Sequence, residues 1–130
     1  AALVLKAAWP LLSEGASIAI TSSVASMIPG SQIPAYDASK AGLAGLMRHA
    51  ALEGSSRRIR VNIIAPGLID TAMGRAASKQ RATRDSTPIP LGRQGTGWDT
   101  AYMALFLLSG EASYITWQVM VIDGGLSTLG

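Results

Sequence analysis

The 130-residue chain contains no cysteine and a single histidine, His49. The first absence excludes disulfides, a thiol nucleophile and cysteine-ligated zinc, and it suits a reducing compartment; a cytoplasmic location is the expectation. The second excludes a histidine-rich metal site, so no metal is expected. A Ser-His-Asp triad would need His49 as its base. Aromatic residues make up only 5% and do not interleave with basic ones, so a base-stacking surface is missing. The pI is near 9.7, but the net charge is only +3, a small excess with no nucleic-acid motif behind it. No apolar run approaches the ~20 residues a membrane span needs. Neither nucleic acid nor membrane is therefore an expected partner.

What is present is enough for a core: 48% of residues are hydrophobic and 15% charged, unlike disordered sequence. The length suits one domain or part of a larger one. The opening Ala1–Pro10 is apolar but lacks an initiator Met, a basic start and a cleavage signal, so it does not read as a signal peptide. It reads as a helix cut open, and the chain is expected to be a fragment.

Residues 1–13 are expected to end a helix, with Gly15 beyond it. The apolar run at 16–20, bounded by Gly15 and a Ser/Thr cluster at 21–23, predicts a buried strand. Residues 24–35, with Pro29, Gly30 and Pro34, predict a loop. From Tyr36 to about Glu53 a helical stripe of Leu43, Leu46, Met47 and Ala50 stands beside the small residues Ala38, Gly42 and Gly45. Those small residues suit close packing by another helix, from a partner or from this chain. A second strand is expected at 59–65 and a third at 117–122. Residues 68–95 read as irregular, with a short helix around 71–82. Thr96 and Asp99 match a capping box that opens a helix from Trp98 to about Leu108. Strands alternating with helices predict an α/β fold: a Rossmann-like parallel sheet of three strands, right-handed crossovers, and helices on both faces. Chemistry in such sheets gathers at the carboxyl ends of the strands.

The clearest chemical feature lies there. Tyr36 and Lys40 stand four apart on one helix face. A nearby ammonium favours a phenolate, so the pair is a sensible proton donor and acceptor; alone, it is equally a half-buried Tyr beside a solvated Lys. Ser23 closes the first strand and could donate to a carbonyl oxygen or simply terminate the strand. Pro66-Gly67, followed by Ile69 and Thr71, could let backbone approach a flat ligand, or form an ordinary turn. The basic clusters Arg57-Arg58-Arg60 and Arg75/Lys79/Arg81/Arg84 read as solvated faces, the second with an alternative as attraction for an anionic substrate. His49 reads as a surface residue.

Taken together, Ile18-Ala-Ile-Thr-Ser-Ser23, Tyr36-Asp-Ala-Ser-Lys-Ala41, Ile59-Arg-Val-Asn-Ile-Ile-Ala-Pro-Gly67 with Thr71, Pro90-Leu-Gly-Arg93 and the stretch from Tyr114-Ile-Thr to Asp123-Gly-Gly125 resemble the C-terminal half of short-chain dehydrogenase/reductases. Within that family the likeness leans toward 3-oxoacyl-carrier-protein reductases. The resemblance implies that residues 1–130 are the C-terminal portion of one Rossmann-type domain with a substrate lid at 68–90. It implies an NAD(P)-dependent oxidoreductase that interconverts an alcohol and a ketone or aldehyde. Tyr36 would be the catalytic acid/base, Ser23 would polarise the carbonyl, and Lys40 would hold the nicotinamide ribose. Pro66, Gly67, Ile69 and Thr71, with Tyr36 and Lys40, would form the cofactor contacts. The cofactor would be NAD or NADP, the partners a small carbonyl or alcohol substrate and further copies in a homodimer or homotetramer.

Three departures accompany the likeness. The glycine-rich dinucleotide turn is not in the sequence, and the family's catalytic Asn would fall before Ala1. The strand at 16–20 would then keep an open edge. Trp117 replaces a family Gly, and a ring there is expected not to adopt glycine-only backbone. An alternative function follows: a non-catalytic half-domain serving as an oligomerisation or interaction module.

Overall fold

A computed structural model describes residues 1–29 and 31–128. Gly30, expected in the loop before Tyr36, lies outside the described residues. Three β-branched, apolar segments form strands β1 (Ser17–Thr21), β2 (Arg60–Pro66) and β5 (Val119–Ile122). They pair in the order β1-β2-β5 and run parallel, with Ile18 beside Val61 and Ile63 beside Val119. Helices α1 (Ala2–Ala8), α2 (Pro34–Gly54), α3 (Ala72–Gln80) and α4 (Gly97–Leu108) intervene. The three-stranded parallel sheet is the expected one. Among the described residues β1 pairs only with β2, which leaves its outer edge open as anticipated. No described helix is long and apolar enough to cross a membrane.

The middle strand is buried from both sides because its residues alternate between two apolar layers. Val61, Ile63 and Ala65 pack against Met47, Ala50 and Ala51 of α2, with Leu5 and Trp9 added beyond them. Ile64 points the other way, onto Leu107 of α4, Ala112 and Met120. Helices therefore cover both faces. That placement corrects the expected handedness. The steps β1→β2 and β2→β5 advance in one direction across the sheet. Equal hands would place both connecting helices on one face, yet α2 and α4 lie on opposite faces. One crossover is right-handed and the other left-handed, against the usual rule.

The loop after α4 is held by Arg60, expected on a solvated face, and by Asn62 of the same strand. Arg60 donates to the carbonyls of Leu107 (2.8 Å), Ser109 (3.0 Å) and Ile115 (3.0 Å). Buried Asn62 donates to Ile115 O at 2.9 Å and accepts from Gln118 N at 3.0 Å. Arg57 donates to the carbonyls of Leu12 and Trp9. Arg57 and Arg60 are thus staples, not a solvated face; exposed Arg58 pairs with Glu14 at 2.9 Å. His49 is exposed, as expected, with Nε2 3.6 Å from Glu53. The stripe of Ala38, Gly42 and Gly45 is exposed and takes no helix from the described chain.

Trp117 also departs from expectation. It sits at φ +62°, in the left-handed region, with the residue 48% exposed. Its N–H donates to Val61 O at 2.8 Å, and this bond at the strand entrance holds the unfavourable backbone in place.

The segment expected to be irregular has a defined neck. Ile69–Asp70 (β3) pairs in parallel with Gly95–Thr96 (β4), pinching residues 71–94 into an excursion that carries α3. The capping box forms: Thr96 Oγ1 accepts from Asp99 N, and Asp99 Oδ2 accepts from Thr96 N at 2.6 Å.

Candidate active site

The carboxyl ends of the three strands converge on one end of the sheet. At the first, α2 is fastened to β1 from two directions. Buried Ser22 donates through Oγ to Lys40 O at 3.0 Å, and its own N–H donates to Ile64 O at 2.7 Å. Lys40 Nζ donates to Thr21 O at 3.2 Å. One helical turn earlier, Tyr36 is 36% exposed, and the ammonium of Lys40 lies 5.7 Å from its ring centroid. The spacing of four therefore brings phenol and ammonium together on one face. Ser22 is a functional position that the sequence reading missed: its hydroxyl holds the backbone of the helix that presents the pair.

Ser23 follows in extended backbone, and its Oγ accepts from Ala25 N at 3.2 Å. The bond caps the short turn Val24–Ser26, which packs against α2. An accepting hydroxyl still has its own proton to donate. Ser23 thus lies two residues past the end of β1, where it caps the turn and keeps a donor free. Among the described residues Ser23 and Tyr36 share no direct hydrogen bond.

At the end of β2 the reason for a glycine differs from the expected one. A Cβ on Gly67 would lie 2.5 Å from Asp123 Cβ, so the glycine makes room for the turn after β5. Gly67 N donates to Ile122 O at 2.9 Å. Ile69 is half-buried in β3, with Cδ1 lying over Gly95. Exposed Thr71 accepts from Gly74 N at 3.0 Å and caps α3, so its oxygen already serves the excursion.

Three carboxyls around the excursion are held below the usual carboxylate range. Hydrogen bonds from Ser78 and then Gln94 depress Asp85, with the charge of Arg84 adding to them. The side chain of Arg93, then the backbone and hydroxyl of Thr96, depress Asp99. At Asp123 partial burial pulls upward, but hydrogen bonds from Ser127, Gly125 and Leu126 outweigh it.

These donors fit one end of a nicotinamide dinucleotide. After the bond to Thr21 O, Lys40 has N–H donors left for ribose hydroxyls. Pro66, Gly67 and Ile69 line the adjacent strand end. The described residues supply no glycine-rich turn at a helix start for the pyrophosphate.

Comparison with known proteins bears on the family and the fold. A family model described as enoyl-(acyl carrier protein) reductase matches residues 1–127. Carbonyl reductase family member 4 of Danio rerio is 44% identical over 119 residues, which cover 92% of this chain and 48% of that protein. A 3-oxoacyl-acyl-carrier-protein reductase of Mus musculus is 38% identical over 125 residues, covering 95% of this chain and 51% of the relative. Among solved structures, a short-chain type dehydrogenase/reductase from Mycobacterium ulcerans superposes with a TM-score of 0.85 at 38% identity, over 95% of this chain and 46% of that one. The chain spans about half the length of the relatives it matches.

Proposed function

The chain belongs to the short-chain dehydrogenase/reductase family, and on that premise we propose that it carries the catalytic half of an NAD(P)-dependent oxidoreductase acting on an alcohol/carbonyl pair. The observation that carries the reading is the Tyr36–Lys40 pair, fastened at the carboxyl end of β1 by Ser22 and Thr21. In reduction, the Tyr36 hydroxyl gives its proton to the carbonyl oxygen; in oxidation, the phenolate takes it back. Ser23 donates to that same oxygen and stabilises the charge that develops on it. The Lys40 ammonium holds ribose hydroxyls and sets the field at the phenol. Pro66, Gly67, Ile69 and Thr71 seat the ring face. The group that supplies or accepts the hydride when bound is the nicotinamide. Support for NADP as one form comes from relatives: a putative 2-deoxy-D-gluconate 3-dehydrogenase from Agrobacterium tumefaciens has been solved with bound NADP. The proposed substrate is a small ketone, aldehyde or alcohol, and the proposed assembly a homodimer or homotetramer in the cytoplasm.

The test is NAD(P)H oxidation with simple ketones and 3-oxoacyl thioesters. It uses the chain alone and the chain mixed with the complementary amino-terminal segment of the Danio rerio relative. Tyr36→Phe should lower kcat by about 10²–10⁴-fold with cofactor affinity nearly intact. Retention of most activity in Tyr36→Phe would refute the proton-transfer assignment. A second reading, a non-catalytic interaction half, draws on the open edge of β1. It predicts association with the amino-terminal segment and no turnover in any combination.

A further inference from the structure

The excursion at residues 71–94 is nearly devoid of apolar core, yet it has a centre. Arg84 is only 11% exposed, although it stands in a surface loop. Its Nη1 donates to Ser78 Oγ at 3.0 Å and to Gln94 Oε1 at 3.4 Å. Ser78 Oγ donates onward to Asp85 Oδ1 at 2.6 Å, and Gln94 Nε2 donates to that same oxygen at 3.1 Å. The four side chains close a ring: one cation feeds two neutral groups, and both feed one carboxylate. Each bond polarises the next, as happens in linked chains of donors and acceptors. The second arm of the guanidinium leaves the ring. Nη2 donates to Ile69 O at 3.2 Å, in the strand that begins the excursion. Gly74 is shaped around this arrangement, because a Cβ there would lie 2.9 Å from Arg84 Nη2 and 2.6 Å from Ile69 O. The ring thus ties α3, the turn after it and the approach to β4 to the backbone between Gly67 and Thr71.

We propose that Arg84 is the positioning residue of the lid: its forked guanidinium fixes the closed ring and, through Ile69 O, sets where Ile69 and Thr71 stand beside the cofactor site. The consequence for turnover, and the name lid, rest on the reductase reading above; the bracing of residues 71–94 does not. A lysine cannot replace it. An ammonium on a single stem is a point donor, whereas the planar fork reaches Ser78, Gln94 and Ile69 in fixed directions. The basic cluster read from sequence as a solvated face, or as an attractant for anions, is at Arg84 an internal brace. Arg75 keeps to the solvated side: it bonds Asp70 at 2.6 Å with both side chains more than half exposed.

The test is limited trypsin digestion followed by mass spectrometry. Cleavage after Lys79, in α3, is compared with cleavage after Arg48, in α2. In Arg84→Ala, Arg84→Lys and Gly74→Ala, cleavage after Lys79 should rise about tenfold, as expected for a local opening, while cleavage after Arg48 stays unchanged. Unchanged cleavage at Lys79, or a parallel rise at both sites, overturns the proposal. So does full protection in Arg84→Lys, because charge alone would then suffice. Should Arg84→Ala fail to fold, Asp85→Ala gives the same decision, since it removes the oxygen that accepts from Ser78 and Gln94 and leaves Arg84 in place. In a preparation that turns over, Arg84→Lys should raise substrate KM several-fold more than it lowers kcat. Tyr36→Phe should cut turnover to the extent given above and leave the digestion pattern unaltered. If digestion behaves as expected while no preparation turns over, the reductase reading fails and the bracing of residues 71–94 by Arg84 stands.

Discussion

The sheet and the excursion are built on different physics. Around β2 the stabilising contacts are apolar: Val61, Ile63, Ile64 and Ala65 are fully buried between α2 and α4. Around Arg84 they are polar: Ser78, Asp85, Gln94 and a backbone carbonyl surround one guanidinium. Apolar burial is non-directional and tolerates small shifts, whereas a hydrogen-bonded ring holds one arrangement and loses most of its value when one member leaves. The division suits the proposed chemistry. The rigid part presents Tyr36 and Lys40 at a fixed strand end. The excursion, the proposed lid, is braced by bonds that can open locally.

The largest effect that would sharpen the contrast is in the sheet. Ile63→Ala removes a fully buried side chain from the layer under α2. Urea denaturation should register a loss of about 2–5 kcal/mol, and the whole domain should unfold as one unit. A loss under ~1 kcal/mol would mean that this layer collapses onto the gap and is less jigsaw-like than the burial implies.

A smaller effect, of opposite sign, is expected at Trp117. Its left-handed φ of +62° disfavours any side chain, and the half-exposed ring gains little packing in return. Trp117→Gly should raise stability by about 1 kcal/mol by removing that strain. Destabilisation would show that the ring is held by contacts strong enough to offset the backbone cost, so that even the strained entrance to β5 is governed by packing.

The same contrast decides what could be read before the structure. The three strands and α2 were legible because their apolar residues repeat with a clear period and end at Gly, Pro or Ser/Thr signals. Tyr36 and Lys40 were legible because a spacing of four has only one meaning on a helix. The Thr96–Asp99 cap was legible because both of its halves are local. What escaped is non-local. Arg60 finds carbonyls 47 to 55 residues away, and Arg57 reaches back 45 to 48 residues, so both looked like solvent-facing charge. The glycine at 67 was readable as a turn, but its cause, the Cβ of Asp123, lies on another strand. The opposite hands of the two crossovers were equally hidden, because periodicity gives the apolar stripe of α4 and not the sheet face on which it lands. The Arg84 ring has no periodic signature at all: its members are spaced 78, 84, 85 and 94.

Acid provides the gentlest way to separate the two regions. Asp85 belongs to the ring, Asp99 to the neck and Asp123 to the turn against Gly67, and each carboxyl is held below its ordinary value in the folded chain. A carboxyl with a folded pKa below its unfolded one, near 3.9 for Asp, adds stability that is complete well above that value and is lost as the pH falls toward the folded pKa. The sheet core is apolar and has no such dependence. Hydrogen exchange, corrected for the intrinsic chemical rate, should therefore show protection falling below about pH 4 at the amides of Thr96, Gly125 and Ser127, which donate to these carboxylates. The amide of Ile63, which donates to Gln118 O within the sheet, should keep its protection over the same interval. A simultaneous loss at Ile63 would mean that acid unfolds the molecule as one unit, and that the lid and the sheet are a single cooperative structure with no separately opening part.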